Sequence, residues 1–316
     1  MLKFSKIYIA GHTGLLGTAL NKILSKKGYS NLIIKSHDDL ELKDSYAVKE
    51  FFQAEKPQIV FLAAGMTGNL NYCKNNAAFL YHENSMIQNN VFAAAKQSGV
   101  EHLVYYGSSC SYPGKAKQPI NEESLMCGPL EELTEAYGVA KLGGILACKA
   151  YNDQDNDINK FIAIVPNTIY GPKDHFDLNR SHVFSSLIKK FHMAVKNGMN
   201  QITLWGSGRP RREFIYSEDV AEASIFMVEN ANKLENTHYN LGTGIDVSIK
   251  ELSLLVAKET GFNGKITWDK TKPDGQLRKF FDCSKIKQLG WVPSIPLEKG
   301  LRLTYDWYLR NIDKCK

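Results

Sequence analysis

Two residue groupings in this chain have the types and spacing to work on a carbonyl. Tyr137 and Lys141 lie four apart in YGVAK, a spacing that puts both on one face of a helix. A lysine beside a tyrosine favours phenolate, as does a cationic nicotinamide, so the pair predicts a lowered phenol pKa and proton exchange with a carbonyl or alcohol near neutral pH. Tyr-xxx-Lys is common by chance; its weight here comes from order. Ser108 and Ser109 precede it, placed to hold the same oxygen, and Cys110 follows them. A small buried filler is the ordinary reading of such a free cysteine.

These residues need elements to hold them. Lys6–Ala10 (KIYIA) reads as a buried parallel strand, stopped by the turn GHTGLLG with Gly11, Gly14 and Gly17. A helical pattern follows through Leu20, Ile23 and Leu24 to Gly28, then a second strand over Asn31–Lys35. Glycines at this spacing between strand and helix let backbone approach a pyrophosphate, and the helix N-terminus turns its N–H groups and dipole toward it. The turn residues Gly11, His12, Thr13, Gly14, Leu15, Leu16 and Gly17 are therefore dinucleotide-binding candidates. Past the second strand, a cation selects a 2′-phosphate and an acid selects a ribose hydroxyl. Lys35 favours NADP(H) over NAD, while Asp38 or Asp39 can cap the next turn or serve NAD.

Apolar strands and helical patterns keep alternating. Gln58–Ala64, Leu103–Ser109 and Phe161–Pro166 read as strands, and about 77–97 and 135–151 as helices. Repeated βα units predict an α/β fold, a Rossmann-type doubly wound parallel sheet with ligands beyond the strands' carboxyl ends. Glu213–Tyr216 reads as a further strand, with Ser217 the N-cap of the helix after it.

With 316 residues, 43% hydrophobic and 23% charged, the chain has globular composition and excludes collagen-like and low-complexity classes. A net charge of +6 does not point to nucleic acid or a membrane, and suits solubility or a doubly anionic small substrate. Its six cysteines make no CxxC pair and no zinc-type spacing with histidine, so no metal site is expected. No apolar run is long enough for a signal peptide or a membrane span, and a reduced, cytoplasmic setting is expected.

Longer strings carry a family likeness: IAGHTGLLG, GSSCSYP at Gly107–Pro113, YGPKDHF at Tyr170–Phe176, SHV at Ser181–Val183, WGSGRPRREF at Trp205–Phe214 and KPDGQLRK at Lys272–Lys279. With these the chain resembles the extended short-chain dehydrogenase/reductases acting on nucleotide sugars, and is similar to their GDP-L-fucose synthase family. The resemblance implies NADPH-dependent C4 reduction of a GDP-linked keto sugar, joined to 3,5-epimerisation, with Ser108, Tyr137 and Lys141 as the reductase triad. It implies Cys110 as the epimerisation base and His182 as its acid. It places Ala63, Ser109, Pro166, Asn167, Thr168 and His182 at the cofactor, and Val183, Leu187, Lys190, Trp205, Arg212 and Asp274 at the nucleotide sugar. It implies a smaller α/β substrate domain of about 167–213 plus 243–316, interleaved with a cofactor domain of 1–166 plus about 214–242. It also implies a homodimer through the two long helices.

Departures bear on the sugar. Thr13 and His37 stand where the family commonly has arginines for the 2′-phosphate, and AAGMTGN (Ala63–Asn69), PNT (Pro166–Thr168) and FDLNRSHV differ from its usual strings. They motivate an alternative: a C4 reductase only, taking a GDP-4-keto-heptose or another pre-epimerised sugar. A 4,6-dehydratase lacks support, because Cys110 and Ser111 fill the stretch where its acid and carboxylate belong. A 4-epimerase has no use for Cys110 with His182, and a cofactor-sensing regulator has no need to keep Tyr137 and Lys141.

Overall fold

Apolar runs too short for helices and punctuated by glycine become strands buried on both faces. The structure, a computed structural model, describes residues 1–157, 160–272 and 274–315. Pro273, in the KPDG string, and Lys316, at the end of the expected substrate domain, lie outside the described residues. The strands are β1 (Ile7–Ala10), β2 (Leu32–Ile33), β3 (Ile59–Leu62), β4 (His102–Tyr106), β5 (Phe161–Pro166), β6 (Thr168–Tyr170), β7 (Gln201–Trp205), β8 (Arg211–Tyr216), β9 (His238–Leu241), β10 (Asp246–Ser248), β11 (Lys265–Asp269) and β12 (Arg278–Lys279). The helices are α1 (Leu15–Lys26), α2 (Ser45–Glu55), α3 (Leu70–Asn75), α4 (Ala77–Ser98), α5 (Glu135–Asp155), α6 (Val183–Lys196), α7 (Ser217–Glu229), α8 (Ile249–Thr260), α9 (Ser284–Gln288) and α10 (Leu297–Arg310).

Six strands form one all-parallel sheet in the order β2-β1-β3-β4-β5-β9. The doubly wound sheet read from the sequence is the sheet observed. Helix α1 packs on α7, and α4 packs on α2 and α5, covering the sheet. Because the strands are parallel, the segments after Ala10, Leu62, Tyr106 and Pro166 all leave from one edge. That edge gathers the chemistry.

Three strands are shorter than expected. Strand β2 stops at Ile33, since as an edge strand it pairs only with β1. Strand β3 ends at Leu62, where Ala63 and Ala64 turn against Gly11. Strand β4 ends at Tyr106, so Ser108 and Ser109 lie beyond it, and the Ser108 hydroxyl accepts from Cys110 N–H at the head of a 3₁₀ turn. Ser217 is a correction of role: Tyr216 is the N-cap of α7 and Ser217 its first residue. The Ser217 hydroxyl is packed under Gly171, where a Cβ would stand 2.5 Å from it, and makes no cap.

A second sheet, β10-β8-β12 with β6 also on β8, and the parallel pair β11-β7 lie outside the six strands. Two apolar cores result. Strand β8 alternates between them, sending Ile215 into the sheet core and Phe214 and Tyr216 into the other with Phe184, Phe191 and Leu301. Phe281, Cys283, Ile286 and Trp291 return to the sheet core.

Candidate active site

The glycine turn is held by close backbone approach. A Cβ on Gly17 would lie 2.1 Å from the Gly11 carbonyl oxygen, and Gly11 itself has φ +82°. Gly14 is the N-cap of α1 and supplies no side-chain cap, and the first turn has no acid. The His12 Nδ1 atom is buried with no hydrogen-bond partner, and the Thr18 hydroxyl donates to the His12 carbonyl. A helix end of this kind fits a pyrophosphate. Thr13 is exposed, Leu15 half-buried and Leu16 buried.

Lys35 is half-buried just past β2. Asp39 is not free to meet a ribose: its Oδ2 accepts from Ser36 N–H at 3.1 Å and Ser36 O–H at 2.6 Å. Those hydrogen bonds, with Lys35 and His12 nearby, hold its carboxyl below the usual range. Asp38 is exposed, while His37 pairs with Glu41 at 3.3 Å. Asp39 therefore caps the turn, and Lys35 is the cation just past β2.

Tyr137, Lys141, Ser108 and Cys110 come together where α5 crosses the edge. Gly138 brings α5 against the Cys110 segment, since a Cβ there would stand 2.4 Å from the Cys110 carbonyl oxygen. The hydroxyls of Thr67 and Ser108 lie beside the Tyr137 phenol and favour its ionised form, less strongly than burial opposes it. The expected lowering of the phenol pKa is corrected. Burial raises it above the usual value. The Lys141 ammonium is instead buried and donates to the Tyr106 carbonyl at 3.0 Å, with burial pushing it down to about 8. Tyr137 is thus held as a neutral phenol, the form that can donate a proton.

Cys110, half-buried, lies beside this phenol, and Lys279 Nζ reaches its Sγ at 3.9 Å. Arg212 is close enough to feel the charge of Cys110, Asp274 and Glu131, though burial lowers its own pKa most. Asp274 pins the loop after β7: its carboxylate accepts Ser207 N–H at 2.6 Å and Ser207 O–H at 2.7 Å. His182 is the N-cap of α6 and makes no side-chain cap. Burial first, and then the neighbouring Arg180 charge, push its imidazole below its ordinary pKa.

Trp205 is 57% exposed, which excludes a core role, and Lys190 and Lys272 lie 5.6 and 5.7 Å from its ring centroid. An exposed ring flanked by two cations suits a stacked base next to phosphates. Val183 is half-buried, and Leu187, 4% exposed, packs in the second core. Ala63 and Ser109 are half-buried on the same edge. Pro166 is the last residue of β5, opposite Leu241. Asn167 turns inward, donating to the buried Glu213 carboxylate at 2.6 Å, while Thr168 N–H donates to its Oδ1.

A dinucleotide cradle and a tyrosine–serine pair on one parallel-sheet edge narrow the choice of family, and comparison settles it. Residues 7–242 match the model of the NAD dependent epimerase/dehydratase family. The chain belongs to that family. Within the epimerase/dehydratase family it is 43% identical to GDP-L-fucose synthase 1 of Arabidopsis thaliana, covering 98% of this chain and 95% of the relative. It is 40% identical to GDP-L-fucose synthase of Escherichia coli K12, covering 98% of each. Among solved structures, a GDP-mannoheptose C4 reductase from Campylobacter jejuni with NADP bound superposes with a TM-score of 0.89. It is 38% identical and covers 98% of this chain and 99% of its own.

Three site residues were not picked out from the sequence. Thr67 reaches Tyr137, Lys279 reaches Cys110, and Arg180 lies beside His182. Thr67 and Arg180 lie in two of the strings that depart from the family pattern, and Lys279 closes KPDGQLRK. Those strings were the available signal.

Proposed function

We propose that the protein reduces C4 of a GDP-4-keto sugar with NADPH, after epimerising C3 and C5. The observation that carries the reading is the neutral Tyr137 phenol beside Ser108 and Cys110. NADPH, when bound, supplies the hydride that C4 receives; Gly11 to Gly17 hold its pyrophosphate and Lys35 its 2′-phosphate. Tyr137 gives its proton to O4, so the ketone becomes an alcohol, and the Thr67 and Ser108 hydroxyls then stabilise the phenolate. Cys110, as thiolate beside the Lys279 ammonium, takes the protons flanking the keto group, and His182 returns protons to the opposite face. Trp205, Lys190 and Arg212 hold the base and diphosphate, and Asp274 acts through the loop it pins.

Residues 1–166 and about 214–242 serve the cofactor, and about 167–213 with 243–316 serve the sugar. Among the described residues no helix is long and apolar enough to cross a membrane, and we assign the enzyme to the cytoplasm. The exposed stripe Val139, Gly143 and Leu146 on α5 has the spacing of a packing face, which supports a homodimer through α4 and α5.

One observation favours the narrower reading, a C4 reductase of pre-epimerised sugars. His182 is held toward the neutral form by burial and Arg180, and an unprotonated imidazole is a poor acid. Turnover of GDP-4-keto-6-deoxy-mannose in heavy water separates the two. Deuterium at C3 and C5 of the product is expected. NADPH oxidation without that label leaves the reductase alone, and no oxidation with this sugar or a GDP-4-keto-heptose overturns the proposal.

A further inference from the structure

Two segments that depart from the family pattern are fastened to each other. Arg180 Nε donates to the Thr67 carbonyl at 2.9 Å, across 113 positions of sequence. Asn69 N–H donates to the Arg180 carbonyl at 2.9 Å, and the Asn69 side-chain amide donates to Asn179 at 3.0 Å. The guanidinium lies 5.1 Å from the Tyr72 ring centroid, and Asn84 holds Met66 by both its N–H and its carbonyl. The loop between β3 and α3 is therefore clamped on both sides of Thr67. The Thr67 hydroxyl lies beside the Tyr137 phenol and favours its ionised form.

We propose that Arg180 is a positioning residue of the carbonyl-reducing centre: by holding the Thr67 carbonyl it fixes the Thr67 hydroxyl as a donor to the Tyr137 oxygen. The inference rests on reading the site as a keto-sugar reductase. A donor aimed at the phenol oxygen leaves the phenol proton free for the substrate and receives the negative charge left after transfer. A hydrogen bond to a charged oxygen is stronger than one to a neutral oxygen. The contact therefore stabilises the transition state more than the ground state, and its loss lowers kcat rather than raising KM.

The test uses the full chain labelled with ¹³C at the tyrosine ζ carbon, whose resonance follows hydrogen bonding to the phenol. Tyr137 is assigned by the signal that Tyr137→Phe removes. Thr67→Val is expected to move that signal, Arg180→Leu to move it in the same direction, and Arg180→Lys to leave it near its original place. In turnover with GDP-4-keto-6-deoxy-mannose and NADPH, Thr67→Val and Arg180→Leu should each lower kcat about tenfold with KM little changed. Because both act through one contact, the double variant should lose no more than either single one. A Tyr137 signal unmoved by Arg180→Leu overturns the proposal without reference to turnover, as does multiplication of the two losses in the double variant. Absence of turnover by the unmodified protein counts against the reductase reading, and the tyrosine spectrum still decides the role of Arg180.

Discussion

Each reacting side chain has a state set by its own surroundings. Burial keeps Tyr137 protonated above its ordinary range, so it enters the reaction as an acid. Tyr137→Phe is expected to abolish reduction, by at least a hundredfold, while NADPH affinity measured by fluorescence titration stays within about twofold. Lys141 titrates at about 8 because it is buried, and its charge beside the phenol and nicotinamide is lost as pH rises through that value. The reduction rate should therefore have a falling limb near pH 8. Lys141→Arg, which stays charged, should shift that limb upward in a pH–rate profile even where it slows the reaction. The same group makes the fold more stable on the alkaline side. Its folded pKa lies below the unfolded one of about 10.4, so the unfolded chain binds more protons between the two, and stability rises with pH across that window. Cys110→Ser tests the other half of the chemistry: reduction of a pre-epimerised keto sugar should continue, and exchange of solvent deuterium into C3 and C5 should stop.

Elements matter here chiefly through how closely they approach. In the first turn of α5, Gly138 is a weaker helix former than alanine, yet a Cβ at that position would fall 2.4 Å from the Cys110 carbonyl oxygen. The clashing atom is backbone and cannot rotate away, so the clash outweighs the gain in helix propensity. Gly138→Ala is expected to lower the melting temperature and to cut turnover about tenfold or more, because the shift moves Cys110 relative to Tyr137; calorimetry and steady-state rates check both halves. The same contrast explains what was legible in the sequence. Strand β1, the glycine turn, α1, α5 and β5 follow from local periodicity, and Phe161–Pro166 is the strand observed. Ser108, Tyr137 and Cys110 converge because parallel strands and short connections bring them to one edge. The strand ends at β2 and β3 were overrun because apolar residues, Ile34 after the one and Ala63 and Ala64 after the other, continue past the last paired residue. Thr67, Arg180 and Lys279 were not legible, since their meaning lies in contacts across 113 and 169 positions that no local pattern carries. The spacing of Tyr137 and Lys141 set a shared helix face, but not that the ammonium would donate to the Tyr106 carbonyl.

At the scale of the molecule, the site edge is built from segments of both cores, with β8 standing between them. Arg212 comes from β8 and Lys279 from β12, which pair in parallel at Arg212↔Lys279. The cations facing Cys110 are thus fixed by one short ladder outside the main sheet. On the opposite side of the reaction centre, α5 carries Tyr137 and Lys141 inward, while Val139 (43% exposed) and Leu146 (38% exposed) point outward with Gly143 between them. Phe79 and Tyr81 are exposed on the neighbouring α4. Apolar side chains with a small residue at helical spacing allow two helix pairs to approach closely, and burying such a face is worth roughly 25 cal/mol per Å² before the cost of association. A dimer through this face would also brace the helix that presents the proton donor. Leu146→Glu places a charge on the stripe, which a self-complementary interface would bury twice. It is expected to convert a dimer to a monomer in light scattering at micromolar concentration and to lower the melting temperature by several degrees, with the concentration dependence of that temperature lost. Leu309→Glu, at a similarly exposed leucine (44%) on α10, should change neither property. A wild-type chain that scatters as a monomer, or an unchanged dimer in Leu146→Glu, would remove the α4–α5 face from consideration and leave the exposed stripe as ordinary surface.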